Sequence, residues 1–145
     1  MAGAVPVDGG RDAVISDMVH AIEALKSELP GELFAGVGVG IPGFILLESG
    51  VVSVAPNLPG FENFAVRDAI EKRLGAMVIL ENDANSAALG EQWIGAGRDT
   101  KDLVLLTLGT GIGGGILVNG RVLHGALGMA GELGQIGRAS CRERG

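Results

Sequence analysis

Four acidic or amide residues stand close together at positions 81–85, where the sequence reads Glu-Asn-Asp-Ala-Asn. They follow an apolar run and precede an alanine-rich one, so they lie where a strand ends and a helix begins, the usual place for ligands in α/β sheets. Asp83 could accept a hydroxyl proton as a general base, while Asn82 fixes a neighbouring hydroxyl by hydrogen bonds. Asn and Asp are also favoured as helix N-caps. The residues alone leave both interpretations open.

A glycine-rich run covers residues 106–115 and reads Leu-Thr-Leu-Gly-Thr-Gly-Ile-Gly-Gly-Gly. A strand that enters such a run exposes successive N–H groups, which can form a nest for an anion, and Thr110 could add a hydroxyl. It is not a Walker loop, because no Gly-Lys-Ser/Thr follows. The turn dipeptide Asn119-Gly120 predicts a hairpin instead of the helix that a dinucleotide fingerprint requires. The alternative is a glycine-rich hairpin that packs closely on a neighbouring segment.

A third candidate is Glu132, which stands between glycines in Gly131-Glu132-Leu133-Gly134. Its carboxylate has two acceptor oxygens and could receive two hydroxyl groups. The alternative is an exposed helix start. His124 has no partner at metal-ligand spacing, so the residues predict no metal site there.

The elements that would position these residues alternate between helices and strands, which predicts the α/β class. Apolar residues at steps of three and four predict a helix over 12–29, with Asp12 as its cap and Pro30-Gly31 as its stop. Its apolar face comprises Ile15, Val19, Ile22, Leu25 and Leu29. Two further helices are predicted over 66–74, which Gly75 ends, and over 84–94. Strands or extended stretches are predicted over 34–41, 45–55, 76–80 and 103–108, with a hairpin over 116–123.

Composition limits the classes of function. The chain has 145 residues, of which 47% are hydrophobic and 19% charged, as is typical of a packed globular protein. A net charge of −6 disfavours nucleic acid and anionic membrane as partners. No apolar run reaches the roughly 18 residues that span a bilayer. The first residues also lack the features of a signal peptide, so a cytoplasmic location is expected.

In their order along the chain, these segments resemble the ROK family of sugar kinases and sugar-responsive repressors, over roughly residues 12–134. The resemblance is carried by GVGVGIPG at 36–43, APNLPGF at 55–61, ENDANSAALGE at 81–91, LTLGTGIGGGILVNG at 106–120 and HGALGMAGELG at 124–134. Each motif alone is modest, and the ordered set is specific.

The resemblance implies an α/β fold of the actin-like ATPase (ribonuclease H-like) kind, in which two lobes close over ATP and a hexose. Asp83 would be the base that deprotonates the acceptor hydroxyl. Other sugar hydroxyls would be held by Asn82 and Glu132, in a pocket lined by Gly43 and Asn57. The loop 109–114 would bind phosphate through Gly109, Thr110, Gly111, Gly113 and Gly114.

The function implied is ATP-dependent phosphorylation of a hexose hydroxyl, as in a glucokinase, with ATP and Mg²⁺ as cofactors. A homodimer is the implied assembly, and neither nucleic acid nor a membrane is an expected partner of this segment. The alternative is a sugar-responsive transcriptional repressor, which uses the same fold as a sensor. Asp83 favours the kinase, since a sensor needs no base. A third interpretation is a piece without catalytic function.

Departures from the family pattern predict that the chain is a piece of a longer protein. Residues 1–98 would form part of an N-terminal lobe without its first strands and its Asp-x-Gly-Gly-Thr phosphate turn, and residues 99–136 would begin a second lobe. Gln135 stands where the family usually has a His that touches the sugar and binds zinc, and the cysteine-rich zinc segment is absent. Residues 137–145 are interpreted as a cloning-derived tail. The chain alone is predicted to be poorly soluble and without turnover.

Overall fold

The computed structural model describes residues 9–31, 35–109 and 111–135. Phe34, Thr110 and the predicted tail over 137–145 therefore lie outside the described residues. The chain divides into two compact units, Met1–Glu81 and Asn82–Gly145. Both units combine helices and strands, which confirms the predicted α/β class.

The first unit combines two helices with short strands. In chain order its elements are α1 (Gly10–Glu28), β1 (Val37–Ile41), β2 (Phe44–Leu46), β3 (Val51–Val54), β4 (Phe64–Ala65), α2 (Val66–Leu74) and β5 (Val78–Asn82), whose last residue opens the second unit. Strand β1 pairs with β5, and the antiparallel sheet β2-β3-β4 contains the predicted turn near Ser49-Gly50.

The core of the first unit is apolar and lies where α1 and α2 pack together and α2 meets β3. Its largest fully buried side chains are Ile15, Ile41, Val52, Phe61, Val66, Ile70 and Val78. Strand β1 alternates valine or isoleucine with glycine, so its apolar side chains share one face, as the two-residue period of a strand requires.

Helix α1 differs from its prediction at both ends. It begins at Gly10 with Gly9 at the N-cap position, so Asp12 lies in the first turn and is not the cap. Ile15 and Val19 are buried as predicted, but Leu25 and Leu29 are 57% and 54% exposed. The apolar period identifies which face of the helix is apolar, but it does not determine how far along the helix that face is covered.

The second unit is a three-stranded antiparallel sheet packed on one helix. Its elements are α3 (Asp83–Ile94), β6 (Leu103–Leu108), β7 (Ile112–Val118), β8 (Arg121–Val122) and a 3₁₀ turn (Leu133–Gln135). The strand order is β6-β7-β8, and α3 packs against β6 and β7. The turn between β7 and β8 has Asn119 and Gly120 at φ of 53° and 74°, which confirms the predicted hairpin.

Helix α3 belongs to the second compact unit with the glycine-rich strands, so the division between the units falls at residues 81 and 82. The predicted lobe boundary at 98 and 99 lies after α3 instead. The assignment of residues 1–98 and 99–136 to two lobes stays a prediction. Among the described residues, we find no helix with the length and apolar character that would cross a bilayer.

Candidate functional site

Asn82 caps helix α3. Its Oδ1 accepts hydrogen bonds from the backbone N–H groups of Ala84, at 2.9 Å, and Asn85, at 3.2 Å. The hydroxyl of Ser86 donates to the carbonyl oxygen of Asn82 at 2.9 Å. The helix-cap interpretation of this residue is therefore confirmed. The cap also fixes the backbone on which the following carboxylate stands.

Asp83 is the first residue of α3, and its side chain is exposed. Oδ1 of this carboxylate accepts a hydrogen bond from the backbone nitrogen of Ala84 at 2.9 Å. A carboxylate that is held by one oxygen and exposed to solvent is accessible to a hydroxyl group of a bound molecule, which is the first requirement of a general base.

The connection between β6 and β7 is a tight glycine tip. The N–H of Gly109 donates to the carbonyl oxygen of Gly111 at 2.9 Å, and both glycines are exposed. A methyl group placed on either glycine would meet no other atom within 4 Å. The exposed backbone leaves room for an anion, but the N–H of Gly109 already donates to Gly111, so phosphate binding at this tip stays a prediction. Thr110 lies outside the described residues.

The next glycines lie in strand β7 and serve a different purpose. A methyl group on Gly115 would lie 2.7 Å from Cβ of Ala88 and 2.8 Å from the carbonyl oxygen of Ala84. These distances are shorter than van der Waals contacts, so glycine permits α3 to pack directly on the strand. The close-packing interpretation of the glycine-rich run therefore holds for this residue, whereas phosphate binding at the tip stays a prediction.

Gly113 and Gly114 were predicted to bind phosphate, and the structure places both of them inside β7. Gly113 pairs with Thr107, and Gly114 is buried with the carbonyl oxygen of Gly131 beside it. Neither residue lies in an open loop. A contact of either glycine with a nucleotide stays a prediction.

Glu132 stands in a turn that is tied to β7. Its N–H donates to the carbonyl oxygen of Met129 at 3.1 Å, and the N–H of Leu133 donates to that of Gly131 at 2.8 Å. The 3₁₀ turn begins at the next residue, so the predicted alternative of a helix start is matched in part. Gly131 is buried and contacts Gly114, which brings the turn of Glu132 onto the strand that α3 also contacts.

Gly43 and Asn57 belong to the first unit. Gly43 has a φ of 133°, and a methyl group on it would collide with the carbonyl oxygen of Val54 and with Ala55. Asn57 is exposed in the following turn, in which the N–H of Leu58 donates to the carbonyl oxygen of Ala55 at 3.0 Å. Gly43 thus packs against the start of the loop that carries Asn57. The grouping of both residues with Asp83 stays a prediction.

Two residues of structural consequence were missed by the sequence interpretation. The guanidinium of Arg11 lies 4.1 Å from the centroid of the Phe64 ring, and its Nη1 donates to the carbonyl oxygen of Gly60 at 3.4 Å. No periodicity identifies such a contact between distant residues. Asn85 is 3% exposed. Its position two residues after Asp83 was visible in the sequence, but its burial was not.

Metal binding finds no support in the part of the chain that the structure describes. No group of three or more His, Cys, Asp or Glu residues there could hold a metal ion. Structural zinc sites take four such ligands, so the described residues do not fit zinc.

Comparison with known proteins finds relatives among sugar kinases and sugar-responsive repressors. A profile of the ROK family matches residues 8–142. A glucokinase of Halalkalibacterium halodurans is 52% identical over 134 residues, which is 89% of this chain and 39% of that protein. A xylose repressor of Caldicellulosiruptor bescii is 41% identical over 99 residues, covering 68% of this chain and 25% of the repressor.

Among solved structures, the ROK family glucokinase from Streptomyces griseus in complex with glucose and AMPPNP is similar, with a TM-score of 0.81 and 34% identity. The match covers 92% of this chain and 41% of that one. The chain therefore spans between 39% and 41% of the length of these two glucokinases.

Proposed function

The chain belongs to the ROK family and has part of the actin-like ATPase fold, and on that premise we propose that the protein phosphorylates a hexose hydroxyl with ATP. Glucose is the first substrate to test, because a relative with 52% identity is a glucokinase and the Streptomyces griseus structure holds glucose. The observation that carries the proposal is the exposed carboxylate of Asp83 at the capped start of α3, in the same compact unit as the open glycine tip.

In this proposal, each of the chain's site residues has a separate role in the reaction. The carboxylate of Asp83 accepts the proton of the sugar hydroxyl whose oxygen attacks the γ-phosphorus. Asn82 and Glu132 hold neighbouring hydroxyls, and this fixed orientation removes much of the entropic cost of bringing the reactants together. ATP supplies the phosphoryl group when it is bound, and the bond that breaks releases ADP. Phosphoryl transfer needs mainly positioning and charge stabilisation of this kind.

The glycine tip is proposed to hold a phosphate of ATP. Gly109 and Gly111 are exposed glycines, and the resemblance adds Thr110 and the strand residues Gly113 and Gly114 to the contact. Mg²⁺ is proposed to accompany ATP and would be held chiefly by phosphate oxygens and water, as this ion prefers. No step of the proposal depends on zinc.

The sugar pocket is proposed to include Gly43 and Asn57 of the first unit. A homodimer, a cytoplasmic location and the absence of a nucleic-acid partner are part of the same proposal. The net charge of −6 supports the last of these, because binding to nucleic acid depends on positive charge.

The alternative function is that of a sugar-responsive repressor. The Caldicellulosiruptor bescii repressor supports it, since it is 41% identical over 99 residues. A repressor binds the sugar without transferring a phosphoryl group. An exposed carboxylate next to the capping amide favours the kinase, because recognition of a sugar alone does not require a base.

A hybrid protein distinguishes a kinase from a repressor. It is the Halalkalibacterium halodurans glucokinase in which the matching segment is replaced by the sequence of this chain. We refer to this protein as the hybrid kinase. We expect it to release ADP in the presence of ATP and glucose, with the unaltered glucokinase as the positive control. A hybrid that unfolds cooperatively and binds glucose but releases no ADP would contradict the kinase and support the sensor.

A further inference from the structure

We propose that Asn85 is a positioning residue that fixes the turn carrying Glu132 to the start of α3, and so sets the geometry between Glu132 and Asp83. Only the consequence for the sugar rests on the proposed function. The positioning itself is a property of the second compact unit and can be tested without any substrate.

The burial of Asn85 is the first reason. Asn85 is 3% exposed. Among the described residues it is the one polar side chain that is buried, and the other buried side chains are apolar. Moving an amide from water into an apolar interior is unfavourable unless its polar atoms find partners there. An amide at this position therefore implies a local role that an alanine or leucine would not supply.

The attachment of Asn85 to Asn82, the residue before the candidate base, is the second reason. The backbone N–H of Asn85 donates to Oδ1 of Asn82 at 3.2 Å, inside the first turn of α3. Asp83 lies between these two residues in the chain. The position of Asn85 is therefore fixed relative to the backbone of Asp83.

The contact on the opposite side of Asn85 is the third reason. A methyl group on Gly131 would lie 3.3 Å from Oδ1 of Asn85, so the Asn85 side chain lies close against that glycine. The carbonyl oxygen of Gly114 contacts Gly131 as well. Gly131 is thus enclosed by α3 and by β7, and Glu132 is the next residue.

These contacts form a chain of fixed groups from Asp83 to Glu132. Removal of the amide leaves the turn with its contact to β7 and its own hydrogen bonds, but without the contact between Gly131 and the Asn85 side chain. The carboxylate of Glu132 would then vary in position relative to Asp83. A small displacement of a substrate-holding group is costly, since about 1 Å of misplacement can reduce rates by about 10²-fold.

Hydrogen exchange on the 145-residue chain tests the positioning directly. In the Asn85→Ala variant, we expect the amides of residues 130–133 to exchange about tenfold faster, while those of β6 keep their protection. Leu117→Ala is the matched control, because Leu117 is 1% exposed in the same unit but lies in β7 beside β8. That variant should not accelerate 130–133 selectively. Uniform acceleration in Asn85→Ala, or none, would overturn the proposal.

Kinetics of the hybrid kinase test the consequence for the sugar. Asn85→Ala should raise KM for glucose about tenfold or more and leave KM for ATP unchanged, because the glycine tip is not involved. Asn85→Leu fills a similar volume without the amide and should show the same loss. Leu117→Ala should lower the melting temperature without changing KM for glucose.

A wild-type KM for glucose in the Asn85→Leu hybrid would overturn the proposal, because it would show that volume alone is needed. A hybrid kinase that is inactive before any substitution would count against the proposed function instead. Hydrogen exchange would then still decide whether Asn85 positions the turn.

Discussion

Oδ1 of Asn82 lies 2.9 Å from the backbone nitrogen of Ala84 and accepts its hydrogen. The residue proposed to hold a sugar hydroxyl is therefore also the cap of α3. A cap and a ligand are compatible, because the bond to the helix is made by the oxygen of the amide, whereas its nitrogen is a separate donor group. This double role means that substitutions at Asn82 must be interpreted by their effects on stability and on sugar binding separately.

Two substitutions at Asn82 separate these effects. Asn82→Ala removes the cap and should lower the free energy of unfolding by about 1 kcal/mol, whereas Asn82→Asp keeps a capping oxygen and should not. Both remove the amide donor, so both should raise KM for glucose in the hybrid kinase. Urea unfolding followed by circular dichroism gives the stabilities. Equal stability of the two variants would contradict the capping role.

Glycines of the run 109–115 should respond to substitution in opposite ways. Gly115→Ala places a methyl group 2.7 Å from Cβ of Ala88 and should cost about 1–3 kcal/mol of unfolding free energy through overpacking. Gly111→Ala meets no atom within 4 Å and should leave stability nearly unchanged. In the hybrid kinase, Gly111→Ala should raise KM for ATP.

Thermal unfolding and ATP kinetics check this pair of variants. The expectation fails if Gly115→Ala unfolds like the wild type. It also fails if Gly111→Ala keeps a wild-type KM for ATP, because the tip would then not be the phosphate site.

Gly43 should not tolerate a side chain. Its φ of 133° is strained for any L-residue, and a methyl group would collide with the carbonyl oxygen of Val54. We expect Gly43→Ala to destabilise the first unit by about 1–3 kcal/mol. Gly38→Ala is the matched control, since Gly38 lies in β1 and a methyl group there meets nothing within 4 Å. Comparable melting temperatures for the two variants would contradict the expectation.

Arg11 should stabilise the loop that follows Asn57. Its guanidinium stacks 4.1 Å from the Phe64 ring centroid and donates to the carbonyl oxygen of Gly60, and an exposed contact of this kind is worth about 0.5–1 kcal/mol. Arg11→Ala should therefore increase proteolytic cleavage near Gly60. Arg98→Ala, an exposed arginine of the second unit, is the control for loss of charge. Unchanged cleavage in Arg11→Ala would show that the contact does not hold the loop.

Some local features of the fold were predictable because few residue types satisfy the backbone. Gly75 ends α2 at a φ of 60°, and Asn119-Gly120 turns the chain between β7 and β8, both as predicted. These positions require a left-handed conformation that glycine and asparagine adopt at low cost. The turn chemistry is contained in the local sequence, so no tertiary information was needed.

Other features depended on tertiary contacts that the sequence does not display. Leu25 continues the apolar period of α1 and yet is 57% exposed, because periodicity does not reveal what covers a face. The glycine-rich run reads as one loop, but its tip is open at Gly111 while Gly115 is packed under α3. Composition cannot separate these two uses of glycine, since both require the absence of a side chain.

In the candidate site, too, the sequence predicted the local structure but not the tertiary contacts. The sequence placed Asn82 and Asp83 at the start of a helix, and the structure confirms that position. The contact of Asn85 with Gly131 was not predictable, because the two residues are far apart in the sequence and meet only through burial in the folded unit. Long-range contacts of this kind leave no local period.

The most direct test of the account is kcat of the hybrid kinase with Asp83→Asn. The substitution keeps Oδ1, which accepts the hydrogen of Ala84, so the melting temperature and KM for glucose should change little. Because asparagine cannot accept the hydroxyl proton, we expect kcat to fall by about 10²- to 10⁴-fold. A folded Asp83→Asn hybrid that phosphorylates glucose at the wild-type rate would show that Asp83 is not the base and would contradict the account.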